Sequence, residues 1–135
     1  MTISTHAWRK VFFVKGVYNV VVSGVMLLWA TKLLPLVGAA PGNPTYAMLF
    51  LWVALACGVG YAIVGCDLDL NHGVVVVGII GQAAVFGVLT WYWAKGLVYA
   101  TGLIFGCIDL AFAIAFAIFL WTYAYRLPTP AKTLP

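Results

Sequence analysis

Glutamate is absent from this chain, and the acidic residues number only three, Asp67, Asp69 and Asp109. Acid–base chemistry therefore has few candidates. Charged residues of both signs make up 7% of the sequence, against about 25% in a soluble domain. So few charges cannot cover a water-facing surface, and the bilayer is the expected solvent. Cysteine is scarce as well. Cys57, Cys66 and Cys107 form no C-x-x-C pair and read as small apolar residues within packed helices. The net charge of +4 comes from seven scattered Lys and Arg. They make no basic stripe, so they read as topology signals and not as a nucleic-acid surface.

What the chain has in abundance is apolar sequence, 65% of its 135 residues. The pattern predicts an all-α integral membrane four-helix bundle in a single domain. Its transmembrane part covers about 11–125, with spans at about 11–34, 46–66, 73–93 and 97–125. Residues 1–10 are expected to be an interfacial lead and 126–135 a short polar tail. A basic start before an apolar run also describes a signal peptide. This run is too long for one, so the segment is expected to be retained. Four spans with short loops leave no room for a soluble catalytic domain.

The fourth span is the centre of the reading. On a helix of 3.6 residues per turn, Gly102, Gly106, Asp109, Ala113 and Ala117 fall on one face. Ile104, Phe105, Ile108, Phe112, Phe119 and Leu120 are assigned to the opposite faces. A carboxylate facing lipid costs roughly 2.5–3.5 kcal/mol, whereas a strip of small residues lets a neighbouring helix cover it. In the first span Lys15, Asn19 and Ser23 repeat at i, i+4 and i+8. Lys15 is expected to snorkel to the membrane edge. Asn19, roughly 12 Å in by the helical rise, needs a partner on another helix. The second span aligns Ala54, Gly58, Tyr61 and Gly65, and the third carries Gln82 roughly 14 Å in.

Each span thus contributes one polar residue, and Asn19, Tyr61, Gln82 and Asp109 form the candidate polar seam or ligand site. Asn19, Tyr61 and Gln82 are expected in the inner half and Asp109 near the midplane or slightly outside it. That level mismatch argues against a single four-member site. An intramembrane carboxylate is a functional candidate by default, and its structural alternative is a hydrogen bond to a neighbouring helix.

The loops carry less chemistry. Pro35, Pro41 and Pro44 are read as excluding helix from 35–45, and Asn43-Pro44-Thr45 is no glycosylation site because its middle residue is proline. The loop DLDLNHG (67–73) starts like a calcium loop, but glycine falls at its seventh position and Gly78 occupies the twelfth. It reads as a solvated turn with Asp or Asn capping the next helix, and no metal is expected. Neither histidine is embedded, which disfavours haem ligation. The side with the termini and the second loop holds Arg9, Lys10, Lys15, Arg126 and Lys132, against Lys32 and Lys95 on the other. Five against two favours cytoplasmic termini. Trp8, Trp121, Tyr123 and Tyr125 fit one aromatic belt, and Trp29, Tyr46, Trp91, Tyr92, Trp93 and Tyr99 the other.

Tyr18-Asn19 in the first span, Gly60-Tyr61 with Asp67 closing the second, and Ile108-Asp109-Leu110-Ala111-Phe112 in the fourth resemble small bacterial four-span proteins of the DoxX-like group. The resemblance implies a bacterial inner (cytoplasmic) membrane protein and, from better-described members, a membrane partner of redox enzymes, often linked to quinone. The chain does not resemble small multidrug transporters, which place a glutamate in the first span.

Three functions follow as expectations. The first is a non-catalytic accessory subunit of a larger electron-transfer or photosynthetic membrane complex, with other membrane-protein subunits and lipids as partners and no nucleic acid. It would carry no cofactor of its own, with quinone, lipid or pigment held at the helix faces. The second is a redox-linked protein binding a quinone- or lipid-like molecule through Asp109, Tyr61 and Gln82. The third is a small homo-oligomeric transporter coupled through Asp109.

Overall fold

The first helix starts at a serine. In the computed structural model, which describes residues 4–38 and 44–124, Ser4 is extended and its hydroxyl accepts the Ala7 N–H at 3.3 Å. A hydroxyl at this position satisfies one of the amide groups a helix start leaves unpaired. Helix α1 therefore runs from Thr5 to Leu28, about six residues ahead of the span expected to begin near Val11. Much of the expected interfacial lead belongs to the helix itself.

Chain direction changes at Trp29 (φ −121°). A short α2 (Ala30–Leu33) follows, then a 3₁₀ turn (Leu34–Val37) with Pro35 in its first turn. Proline was expected to exclude helix here. Its missing N–H is harmless at a helix start and its ring presets φ, so it opens this turn instead. Pro41 and Asn43 lie outside the described residues, as do Tyr125 and the 126–135 tail. Helix α3 spans Thr45–Cys66, α4 spans His72–Ala94, and α5 spans Ala100–Phe119 and runs on into a π turn, Leu120–Ala124. Among the described residues no strand occurs, and α1, α3, α4 and α5 are long and apolar enough to cross a membrane. The chain is an all-α four-helix membrane bundle.

The four helices associate as two tight pairs, α1 with α3 and α4 with α5. Glycine makes the first pair possible. A Cβ on Gly16 would lie 2.9 Å from the Gly58 carbonyl oxygen, and one on Gly58 would lie 2.9 Å from that of Gly16. Small residues at such crossings let backbones approach and gain dispersion contacts where lipid offers no hydrophobic drive. In the second pair Gly106 sits against Phe86 and Leu89.

An aromatic cluster joins the pairs at one end. Phe12 stacks on Phe116 with centroids 4.6 Å apart, Trp8 meets Phe119 edge-on at 5.4 Å, and Tyr61 meets Phe116 at 5.0 Å. Val64, Leu68 and Val75 complete this core. Edge-on and offset ring pairs add about 0.5–1.5 kcal/mol each beyond area burial. Trp8, expected in an interfacial belt, is buried.

The buried face of α5 also departs from expectation. Gly102, Gly106, Ala113, Phe116 and Phe119 are buried, while Ala117 is exposed. Phe119 and Leu120, both assigned to the opposite faces, are thus buried. From Gly102 to Leu120 is about five full turns, so these two share a face, whereas Ala117 has drifted off it. Cys66 and Cys107 are likewise exposed instead of packed. In the 67–71 loop, Asp67 Oδ1 accepts the Asp69 N–H at 3.0 Å. Asn71 precedes α4 with φ 64° and caps nothing with its side chain. The expected cap is absent there because a left-handed backbone is satisfied by Asn as a turn residue.

The glycine crossing is directly testable. Gly58→Val should lower the thermal unfolding midpoint of the detergent-solubilised protein by several degrees. Gly24→Ala, whose new methyl meets nothing within 4 Å, should leave the midpoint unchanged or raised.

Candidate functional site

The buried side of α1 reads Trp8, Phe12, Lys15, Gly16 and Ser23, with Asn19 half-buried between the last two. Counted from Thr5, Lys15 is about 15 Å along the helix. Asp109 lies about the same distance from the Phe119 end of α5. The Trp8–Phe119 contact puts these two helix ends side by side, so lysine and carboxylate share a level. They form an ion pair, with the Lys15 side chain 0% exposed and that of Asp109 17%. The rings of Tyr18 and Phe112 flank the ammonium, their centroids 4.8 and 5.1 Å from Nζ.

Lys15 thus corrects the snorkelling expectation. Its side chain is fully covered by the bundle and turned inward to Asp109, so it does not reach outward. The readable signal was the pair itself, since Asp109 is the one carboxylate within a span and Lys15 the cation on the polar strip of α1. The pairing also answers what Asp109 needs. A lone charge in this setting is costly, and each of these charges neutralises the other.

The remaining polar residues are handled separately. Asn19 Nδ2 donates to the Ala54 carbonyl on α3 at 3.2 Å. Gln82 Nε2 donates to the Tyr61 hydroxyl at 3.0 Å. Tyr61 crosses over Gly78, where a Cβ would lie 2.7 Å from the hydroxyl and 2.8 Å from the ring. This glycine gives the phenol room to reach the glutamine one turn along α4. Gln82 Oε1 is buried and has no hydrogen-bond partner among the described residues.

Asn19, Tyr61, Gln82 and Asp109 all line one cavity of about 670 Å³, together with Tyr18 and Ser23. The level mismatch read from the sequence does not separate them, because the cavity extends along the bundle and takes each residue at its own depth. The rest of the wall is apolar, from Met26 and Leu51 to Val85 and Phe105. The aromatic cluster fills the space between the helix pairs at one end, and here that space stays open. Val53 on α3 and Val77 and Val88 on α4 line the cavity, yet are more than half exposed. The cavity therefore opens sideways between α3 and α4.

The end away from the aromatic cluster is crossed by the 34–38 strap. Leu34 and Val37 line the cavity. The Thr101 hydroxyl donates to the Leu36 carbonyl at 2.7 Å, and the Tyr99 N–H to the Val37 carbonyl at 3.4 Å. Gly38 adopts φ 84°, and a Cβ there would come within 2.7 Å of the Tyr99 nitrogen. The strap thus ties the α1 side of the bundle to the start of α5. Sequence reasoning gave the strap no role, because its anchors, Tyr99 and Thr101, are distant in the chain.

Among the described residues no three His, Cys, Asp or Glu side chains converge as metal ligands do. The arrangement is suited to holding a molecule: apolar walls, a few polar groups at fixed positions, and a side opening. Comparison with protein-family models, curated protein sequences and solved structures returns no match.

The ion pair makes a specific energetic demand. Lys15→Met or Asp109→Leu alone leaves one buried charge unpaired, a loss of about 3–5 kcal/mol in comparable sites. Both single variants should unfold at clearly lower temperature in detergent, and the double variant should recover most of the loss. A double variant as unstable as the sum of the singles would show that the two residues do not act as a pair.

Proposed function

We propose that this protein binds a small amphipathic molecule, quinone- or lipid-like, taken laterally from the bilayer into the cavity between its two helix pairs. The observation that carries this reading is the cavity itself. Its volume of about 670 Å³ falls among those of small-molecule sites, roughly 300–1,000 Å³, which combine apolar walls with a few placed polar groups. Its opening lies between two lipid-length helices, where a molecule dissolved in the membrane has direct access. The likeness to the DoxX-like group supports the quinone end of this range and a bacterial inner membrane.

The accessory-subunit reading rests on different ground, the large apolar side chains facing outward on all four long helices. Lipid alone covers such faces equally well, so the cavity is the more specific feature. The charge count favours both termini in the cytoplasm. A fluorescent protein fused to the C-terminus should therefore be bright, and a phosphatase that matures only outside the cytoplasm should be inactive there.

The binding reading is tested by purifying the protein from native membranes in mild detergent and extracting it for lipophilic molecules by mass spectrometry. A discrete compound should be enriched over bulk lipid. Gly81 lines the cavity, and a Cβ there meets nothing within 4 Å. Gly81→Phe should fill the space, leave the unfolding midpoint close to wild type and remove the compound. Persistence of the compound in that variant would overturn the reading. A large multi-chain particle lacking any such compound would favour the subunit reading.

A further inference from the structure

The polar groups around the cavity differ in what they have left to offer. Lys15 is fully covered and directs its ammonium to Asp109. The Asn19 amide donates to Ala54. The Tyr61 hydroxyl accepts from Gln82 and is pressed against Gly78. These groups are largely committed within the protein.

Two groups are not. Gln82 is 5% exposed, lines the cavity, and holds Oε1 without a partner among the described residues. A carbonyl oxygen with two lone pairs, buried and unpaired, carries a desolvation penalty of about 1–3 kcal/mol. The Asp109 carboxylate, partly open to the same cavity, has more acceptor sites than one lysine contact fills. Both are acceptors. The charge there is already balanced by Lys15, so a cationic ligand would bring an uncompensated charge into a low-dielectric space.

From this we infer that the cavity selects a neutral amphiphile with a hydroxyl head group, whose O–H donates to Gln82 Oε1 while its apolar body fills the space toward the strap. The inference rests on the binding reading above and adds the ligand's head-group chemistry to it. Molecules of the same shape whose polar end only accepts, such as a ketone or a methyl ether, leave Oε1 unpaired and are disfavoured. Sites built around one hydrogen bond discriminate in this way because the analogue strands a buried polar group.

The test uses the full chain in lipid nanodiscs and a diazirine-tagged long-chain alcohol as photoprobe. Crosslinks should map by mass spectrometry to cavity residues such as Val85 and Phe105. The untagged alcohol should compete about tenfold better than its methyl ether or the matching methyl ketone, as one buried hydrogen bond warrants. Gln82→Leu should weaken the alcohol about tenfold, to the level of its ether and ketone, and so abolish that preference. Equal competition by all three compounds on the wild-type protein would overturn the hydroxyl inference while leaving the binding reading intact. Crosslinks absent from the cavity would remove both. The wild-type series decides the matter even if Gln82→Leu fails to fold.

Discussion

The Lys15–Asp109 ion pair is the interaction the rest of the structure must accommodate. Two charges inside an apolar bundle are tolerable only as partners, and that requirement sets the relative height and rotation of α1 and α5. Once these two helices are in register, Trp8 meets Phe119 and Phe12 meets Phe116. The aromatic cluster and the ion pair are thus successive layers of one interface between the helix pairs. Oily surfaces slide past one another at little cost in lipid, so a charged contact supplies positional information that apolar packing lacks. Buried ionic groups are best attested in this registry role.

The same arrangement explains why space remains elsewhere. Each helix pair is closed by small residues, Gly16 with Gly58 and Gly106 beneath Phe86 and Leu89. Between the pairs, bulky rings fill one end, and toward the other a cavity remains. The strap from Leu34 to Gly38 bridges it through Thr101 and Tyr99. A space held open by a packed end and a tied end is a built feature of the bundle, and Gln82, whose buried amide oxygen is unpaired, is among its lining residues.

Much of this fold was legible. Runs of apolar residues punctuated by Pro, Gly and charge mark four spans, and the third was bounded within a residue at each end. The polar positions were legible too, since Asn19, Tyr61, Gln82 and Asp109 interrupt apolar faces where every polar atom is expensive. What each one bonds was not legible. Pairing depends on the relative height and rotation of two helices distant in the chain, as with Lys15 on α1 and Asp109 on α5. On α5, Ala117 was grouped with the small residues although the helical angle had by then drifted away from them. The cavity was the least accessible feature of all. It depends on how two helix pairs pack against each other, which no single helix's pattern encodes.

The sideways mouth between α3 and α4 changes what affinity means for this protein. Val53, Val77 and Val88 border that mouth and face outward into the surroundings of the bundle. A ligand using it never crosses water, so the concentration that governs occupancy is its mole fraction in the bilayer. An amphiphile enriched in the membrane can therefore saturate a site of modest intrinsic strength. For a ligand entering that way, membrane composition, instead of aqueous supply, sets how full the cavity is.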